Sequence, residues 1–70
     1  MAEIRAEMVA NVWKVVATEG QQIVAGDTVV ILESMKMEIP VLAEDPGLLS
    51  KLNVAEGDVV QEGDLIAVIS

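Results

Sequence analysis

The chain of 70 residues contains no cysteine, no histidine, no tyrosine and no phenylalanine, and its single aromatic residue is Trp13. A chain without cysteine cannot be cross-linked by disulfides, and one that also lacks histidine cannot form the usual structural zinc sites. A domain of this size buries only about 60% of its unfolded surface, so its stability is marginal. We therefore expect a single domain over residues 1–70 that is stabilised by an aliphatic core.

Basic residues are also scarce: four stand against twelve acidic ones, which gives a net charge of −8. An acidic chain is repelled by nucleic acid and by anionic membrane surfaces, and it favours partners with a basic face. The first residues do not combine positive charges with an apolar run as a signal peptide does, and no stretch approaches 18 uninterrupted apolar residues. We expect a soluble, cytoplasmic protein that binds neither nucleic acid nor membranes.

An internal repeat relates residues 4–33 to residues 41–70 by a shift of 37 positions. Both copies contain the pattern E-G-x-x-[IV]-x-x-G-D. Two copies are too few for a solenoid, so we expect them to face each other about a pseudo-twofold axis. The identical pairs are Ala6/Ala43, Glu7/Glu44, Lys14/Lys51, Glu19/Glu56, Gly20/Gly57, Gly26/Gly63 and Asp27/Asp64.

Each copy reads as four short strands separated by Glu-Gly and Gly-Asp turns, in which glycine adopts positive φ at little steric cost. No segment shows a sustained 3.6-residue apolar period, so we expect no helix. Short, evenly spaced strands indicate an all-β flattened barrel or sandwich, here of two four-stranded antiparallel sheets. Ile31 and Val68 are predicted to point inward. The strands are predicted near residues 4–9, 12–17, 22–24, 29–33, 38–43, 49–54, 59–61 and 65–69.

The junction between the two copies, residues 34–40, must contain a turn. Residues 28–43 read TVVILESMKMEIPVLA, which exceeds the usual strand length of 3–10 residues. Tight hairpins favour glycine because their central residues need positive φ, and other residues there cost of order 1–3 kcal/mol. Strain at a surface turn of Met35 and Lys36 indicates that Lys36 is placed for access. By the twofold symmetry, this turn should lie opposite the chain ends.

The hexapeptide E-S-M-K-M-E, residues 33–38, resembles the attachment motif of the biotin/lipoyl attachment domain family, in which a lysine between methionines receives biotin. The resemblance covers essentially the whole chain and is to small, single-domain, biotin carboxyl carrier-like proteins. It implies covalent attachment to Lys36 and recognition of the neighbouring residues by the modifying enzyme. Those neighbours are Met35 and Met37, with Glu33, Ser34 and Glu38 as the motif flanks.

Two features depart from the family pattern. Ser34 stands where many relatives have alanine, which is a small-for-small change. Residues 6–10 read AEMVA where many relatives have Ala-Pro-Met-Pro-Gly, which leaves the geometry of the first turn open. The second copy keeps Pro46 and Gly47 at the equivalent place. No segment resembles the protruding thumb of some acetyl-CoA carboxylase carriers.

The resemblance implies a covalent biotin carrier. A biotin protein ligase would acylate Lys36, and the biotin arm would accept a carboxylate at a biotin carboxylase and deliver it at a carboxyltransferase. The chain would be a monomeric, non-catalytic component of such a system. A lipoyl carrier on the same lysine is the nearest alternative, although lipoyl domains more often carry Asp-Lys-Ala at the tip.

The same residues admit other interpretations. An enzyme would need a cleft, and a 70-residue β domain has little room for a pocket of about 300 Å³ or more. An interaction module whose tip docks without modification would be distinguished by its intact mass.

Lys14 and Lys51 lie within predicted strands, so we expect them on outer faces. The two tip methionines could pack in the core, but methionine also serves adaptable recognition surfaces. The acidic residues do not match the spacing of a calcium loop.

Overall fold

The computed structural model describes residues 2–70, and within them the chain forms eight β-strands and no helix. The all-β prediction is confirmed. No helix long and apolar enough to span a membrane occurs in this part of the chain. The strands are β1 (Ala2–Arg5), β2 (Ala10–Val15), β3 (Gln22–Ile23), β4 (Thr28–Ser34), β5 (Met37–Leu42), β6 (Gly47–Leu52), β7 (Val59–Val60) and β8 (Leu65–Ile69).

The strands form two four-stranded sheets, and all the strand pairs are antiparallel. One sheet has the order β1-β8-β6-β3 and the other β5-β4-β2-β7. The two orders correspond position by position, with β1 equivalent to β5, β8 to β4, β6 to β2 and β3 to β7. Each sheet therefore contains two strands from each half of the chain. This confirms the expected pseudo-twofold symmetry. We call the sheet with β4 and β5 the lysine-bearing sheet, and the sheet with both chain ends the terminal sheet.

Each half of the chain supplies a glutamate that caps a β-bulge in the other half. The backbone N–H of Val15 donates to Oε2 of Glu56 at 3.2 Å, and the equivalent N–H of Leu52 donates to Oε2 of Glu19 at 2.8 Å. Both strands shift register just before these residues, and a bulge leaves one residue outside the ladder. The two carboxylates therefore satisfy backbone donors near the bulges, which gives the repeated glutamates a structural role.

The Gly-Asp turns are also duplicated. Oδ2 of Asp27 accepts a hydrogen bond from the N–H of Val24 at 3.0 Å, and Oδ2 of Asp64 accepts one from the N–H of Gln61 at 2.9 Å. The glycine before each aspartate has a φ of 95° or 90°, which glycine adopts without the clash of a Cβ atom. These residues are turn formers, as the sequence indicated.

The core lies between the two sheets and is wholly apolar among residues 2–70. Its largest fully buried side chains are Ile23, Leu49, Ile66, Val12, Val29 and Val30. The prediction that Ile31 and Val68 point inward is wrong, because both are only half-buried while their neighbours Leu32 and Ile69 are 2% exposed. A register shift in β4 lets Val29 and Val30 both point inward, and the inserted residue reverses the alternation beyond it. Strand β8 has the equivalent register shift where it pairs with β1.

Three strands begin two residues earlier than predicted: β1, β2 and β6. In β2 the first residue, Ala10, pairs with Val60 of the short strand β7, and in β6 Gly47 pairs with Ile23 of β3. These partners lie in the other half of the chain, so the local pattern contains no signal for them. The atypical first turn begins like the second, because the N–H groups of Ala6 and Ala43 make equivalent 2.8 Å hydrogen bonds to the carbonyls of Asp64 and Asp27. The two turns end differently, since Gly47 has a φ of 152° and its equivalent Ala10 does not have a positive φ.

Candidate functional site

The lysine turn connects β4 to β5 and contains only two residues, Met35 and Lys36. Ser34 and Met37 are paired across the ladder and close the hairpin. Met35 has a φ of 52° and Lys36 a φ of 62°, and positive φ at both central residues is what a type I′ hairpin turn requires. The expected strain is therefore present, of order 1 kcal/mol or more for each non-glycine residue. They are the only non-glycine residues with positive φ within residues 2–70.

The side chains of this turn project into solvent. Met35 is 93% exposed and Met37 is 63% exposed, and Lys36 is also exposed. The core-packing alternative for the two methionines is therefore wrong. The ion pair found within residues 2–70 joins Arg5 to Glu3 at 2.8 Å and does not involve Lys36. The hairpin thus presents a primary amine between two large, adaptable apolar side chains.

The motif flanks occupy two different environments. Glu33 and Glu38 are directly opposite each other on β4 and β5, and like charges in this arrangement are mutually destabilising. Ser34 is half-buried at the end of β4. Motif position alone did not indicate the glutamate pairing, which follows from the register of the hairpin. The result is a small acidic area on the outer face of the sheet, one pair of residues away from the turn.

The other two lysines lie in the bodies of strands. Lys14 is in β2 and Lys51 is in β6, and both are exposed on outer faces, as expected. Nζ of Lys14 lies 5.4 Å from the centroid of the Trp13 ring, which is within the range of a cation–π interaction. Exposure alone therefore does not distinguish the three lysines. Lys36 differs because it occupies a strained turn.

An open groove of about 490 Å³ lies between the edge strands β1 and β5. It is larger than the sequence led us to expect, because the two sheets are not joined along this edge. Lys36 does not line the groove, and its charged lining residues are Arg5 and several carboxylates. Within residues 2–70 no three potential ligands are grouped as a metal site. The lysine turn is therefore suited to entering an active site on another protein.

Comparison with known proteins identifies the family. Residues 2–69 match the biotin/lipoyl domain model described as "Biotin-requiring enzyme", so the chain belongs to the biotin/lipoyl attachment domain family. The biotinylated protein TB7.3 homolog of Mycobacterium leprae is 65% identical over 71 aligned residues, which cover 100% of both chains. The biotin/lipoyl attachment protein of Bacillus subtilis is 47% identical, over 91% of this chain and 88% of that protein.

A solved structure extends the comparison to a large enzyme. The urea carboxylase of Kluyveromyces lactis contains a region that superposes with a TM-score of 0.91 and 40% identity. The match covers 99% of this chain but only 6% of that one. A domain of this fold is thus present in a carboxylase, and the two four-stranded sheets seen here are those of a family member.

Proposed function

We propose that the chain is a biotin carrier protein and that Lys36 is its attachment residue. The observation that carries the proposal is the two-residue turn, which holds an exposed lysine between two exposed methionines at a steric cost. A fold that needed only a reversal of the chain would be more stable with glycine there. The names of two similar proteins, a biotinylated protein and a biotin/lipoyl attachment protein, support the same reading.

The attachment reaction needs little from the chain itself. Nζ of Lys36 attacks a biotin carboxyl group that a biotin protein ligase has activated; a C–N amide bond forms, and the activating group and a proton leave. The exposed turn fits this role because no ion pair within residues 2–70 holds the amine. Amide formation removes one positive charge, so the net charge changes from −8 to −9 (−8 − 1).

The attached group would supply a ring that carries a carboxyl group between partner enzymes. The lysine side chain and the biotin chain together span about ten bonds, a reach on the order of 14 Å. Tethering raises the effective concentration of the ring at each partner site. We propose that these partners are biotin carboxylase and carboxyltransferase components in the cytoplasm, and that the chain is a non-catalytic, monomeric member of that system. The presence of a similar domain in urea carboxylase supports this.

Lipoate on the same lysine is the alternative cofactor. The exposed Met35 and Met37 favour biotin, because lipoyl domains more often carry Asp-Lys-Ala at this tip. Incubation of the unmodified protein with ATP tests the two directly, with biotin and its ligase in one reaction and with lipoate and a lipoate ligase in the other. We expect the intact mass to rise by one biotinyl group and not by a lipoyl group. A chain that accepts neither group would be an unmodified interaction module.

A further inference from the structure

The outer faces of the two sheets differ at positions that the pseudo-twofold axis makes equivalent. Four apolar residues of the lysine-bearing sheet have polar equivalents on the terminal sheet, and two polar residues have apolar equivalents. In the first group Trp13, Pro40, Leu42 and Val59 correspond to Ser50, Glu3, Arg5 and Gln22, and in the second Asn11 and Thr28 correspond to Leu48 and Leu65. The outer face of the terminal sheet therefore serves as a reference for the outer face of the lysine-bearing sheet.

Trp13, Ile31 and Pro40 lie in one row across the lysine-bearing sheet, and Val59 lies one row nearer the turn, opposite Asn11. Ile31 pairs with Pro40 on one side and with Lys14 on the other. Trp13 is the extra residue of the β2 bulge, beside Lys14 and opposite Ile31, and its side chain is 44% exposed. We call the surface formed by Trp13, Ile31, Pro40 and Val59 the Trp13 face; Val59 is 64% exposed on the neighbouring strand β7.

The fold does not require an aromatic residue at this bulge. At the equivalent bulge in β6, Ser50 takes the place of Trp13, and its Oγ donates to the carbonyl of Val68 at 3.1 Å and accepts from Oγ of Ser70 at 2.8 Å. Both bulges are capped by an equivalent glutamate. Because serine and tryptophan support the same backbone, the bulge does not require the indole, and the exposed part of the ring, beside the Lys14 ammonium, is available to a partner.

The Trp13 face lies close to Lys36. Ile31 is three residues from the end of β4 at Ser34, a distance of about 10 Å at the usual rise of a strand. A specific protein interface buries about 800 Å² on each partner, which corresponds to a disc of radius about 16 Å. A protein that binds over the lysine turn on this side therefore covers the Trp13 face.

The acylating enzyme must approach the turn more closely than any later partner. The amine of Lys36 lies only about 6 Å from its Cα atom, whereas an attached biotin ring extends on the order of 14 Å. Between the turn and the Ile31–Pro40 pair lie the opposed carboxylates of Glu33 and Glu38, in the row that continues through Asn11 to Val59. A basic group on the partner would relieve their mutual repulsion. A partner that presents an apolar surface beside a basic group would therefore be complementary to this side of the domain.

We propose that the Trp13 face is the docking surface for the ligase that acylates Lys36, with the Trp13 indole as the main apolar contact. This inference depends on the proposed biotin attachment and adds the surface by which the ligase recognises the domain. Tryptophan is among the residues that most often carry the affinity of an interface. The terminal sheet, with Ser50 at the equivalent place, stays outside the contact.

The experiment compares Trp13→Ser with Leu48→Asn, each of which introduces the residue found at the equivalent position of the other sheet. Trp13 and Leu48 are similarly exposed, at 44% and 43%. With a catalytic amount of biotin protein ligase and an excess of ATP and biotin, we expect Trp13→Ser to raise the KM for the domain about tenfold or more. The kcat of this variant should stay within about twofold of that of the unchanged chain. Leu48→Asn should leave both constants unchanged. Calorimetric titration of the ligase with Lys36→Arg and with the Lys36→Arg/Trp13→Ser double variant should show the same rise in Kd.

The outcomes separate this inference from the proposed function. If the unchanged chain is not biotinylated, the proposed function fails; if it is biotinylated and Trp13→Ser matches it in KM and Kd, only the docking surface is wrong. An equal rise in KM for Leu48→Asn, or a dimer of the chain that Trp13→Ser dissociates without changing KM, also overturns the proposal.

If Trp13→Ser lowers the melting temperature of the domain, Pro40→Glu is tested in its place. Pro40 is exposed on the edge strand β5, and the residue at the equivalent position of the other sheet is already Glu3. We expect a several-fold rise in KM from this variant, and no rise would contradict the proposal.

Discussion

Two kinds of turn in this molecule can be compared directly. Four turns place a glycine at positive φ, with angles between 89° and 95° at Gly20, Gly26, Gly57 and Gly63, whereas the lysine turn places Met35 and Lys36 at 52° and 62°. A Cβ atom added at any of those four glycines would meet no atom within 4 Å, so their identity reflects backbone conformation alone. The glycine turns are therefore explained by the fold. The lysine turn retains side chains that the fold would be more stable without, which points to a use outside the domain.

The largest effect that this comparison predicts is on modification. Lys36→Arg should abolish biotin incorporation, because arginine keeps the charge and the turn but offers no primary amine to acylate. Lys14→Arg and Lys51→Arg are matched controls, since both lysines are exposed on strands, and they should be labelled like the unchanged chain. Intact mass after incubation with ligase, biotin and ATP measures the result. Labelling of Lys36→Arg would show that another amine is the acceptor.

Exchanging Met35 and Lys36, so that residues 33–40 read ESKMMEIP, tests whether the place of the lysine within the turn matters. Composition, charge and hairpin length stay the same, but the amine moves to the other central position of the turn. A misplacement of about 1 Å can lower the rate of a reaction by 10²-fold, so we expect at least that loss in the initial rate of biotinylation. The circular dichroism spectrum and melting temperature should be unchanged. Equal rates would mean that any lysine near the tip suffices.

Substitutions that convert one kind of turn into the other should change stability in opposite directions. Gly20→Ala should lower the free energy of unfolding by about 1 kcal/mol, because alanine at positive φ is strained. Lys36→Gly should raise it by about 0.5 kcal/mol, since relief of strain exceeds the added entropy of the unfolded chain. Urea denaturation of the two variants measures both signs. A loss of stability in Lys36→Gly would show that the turn is optimised for the fold.

The smallest effect is expected for Lys36→Ala. This substitution keeps a Cβ atom at positive φ and removes an exposed side chain that takes no part in the ion pair found within residues 2–70. Exposed positions of this kind usually change stability by no more than about 0.5 kcal/mol, so the urea midpoint should hardly move. A loss of several kcal/mol would make Lys36 a structural residue and would weaken the carrier proposal.

Much of this fold could be predicted because the internal repeat presents the same pattern of strands and turns twice. The repeated Glu-Gly and Gly-Asp pairs located the turns, and the twofold relation located the junction at residues 34–40. The lysine turn followed because no glycine is available there, and the two positive φ angles confirm it. The assignment of Lys36 as the modified residue stays a prediction that chemistry must test.

The inward and outward faces beyond the bulges could not be predicted in the same way. In the run Val29-Val30-Ile31-Leu32 every residue is apolar, so the pattern does not show where an extra residue breaks the alternation. The prediction that Ile31 points inward was wrong for this reason. The Trp13 face was missed as well, because its residues come from different strands whose neighbours are set by long-range pairing.

Peptide mapping of the protein purified from cells that synthesise biotin is the most direct test of the central claim. Proteolysis followed by mass spectrometry assigns any modification to one of the three lysines. We predict a single biotinyl group in amide linkage on Lys36, in the peptide that contains Met35 and Met37, with Lys14 and Lys51 unmodified. Biotin on Lys14 or Lys51, or a wholly unmodified chain in cells with an active ligase, would contradict the account.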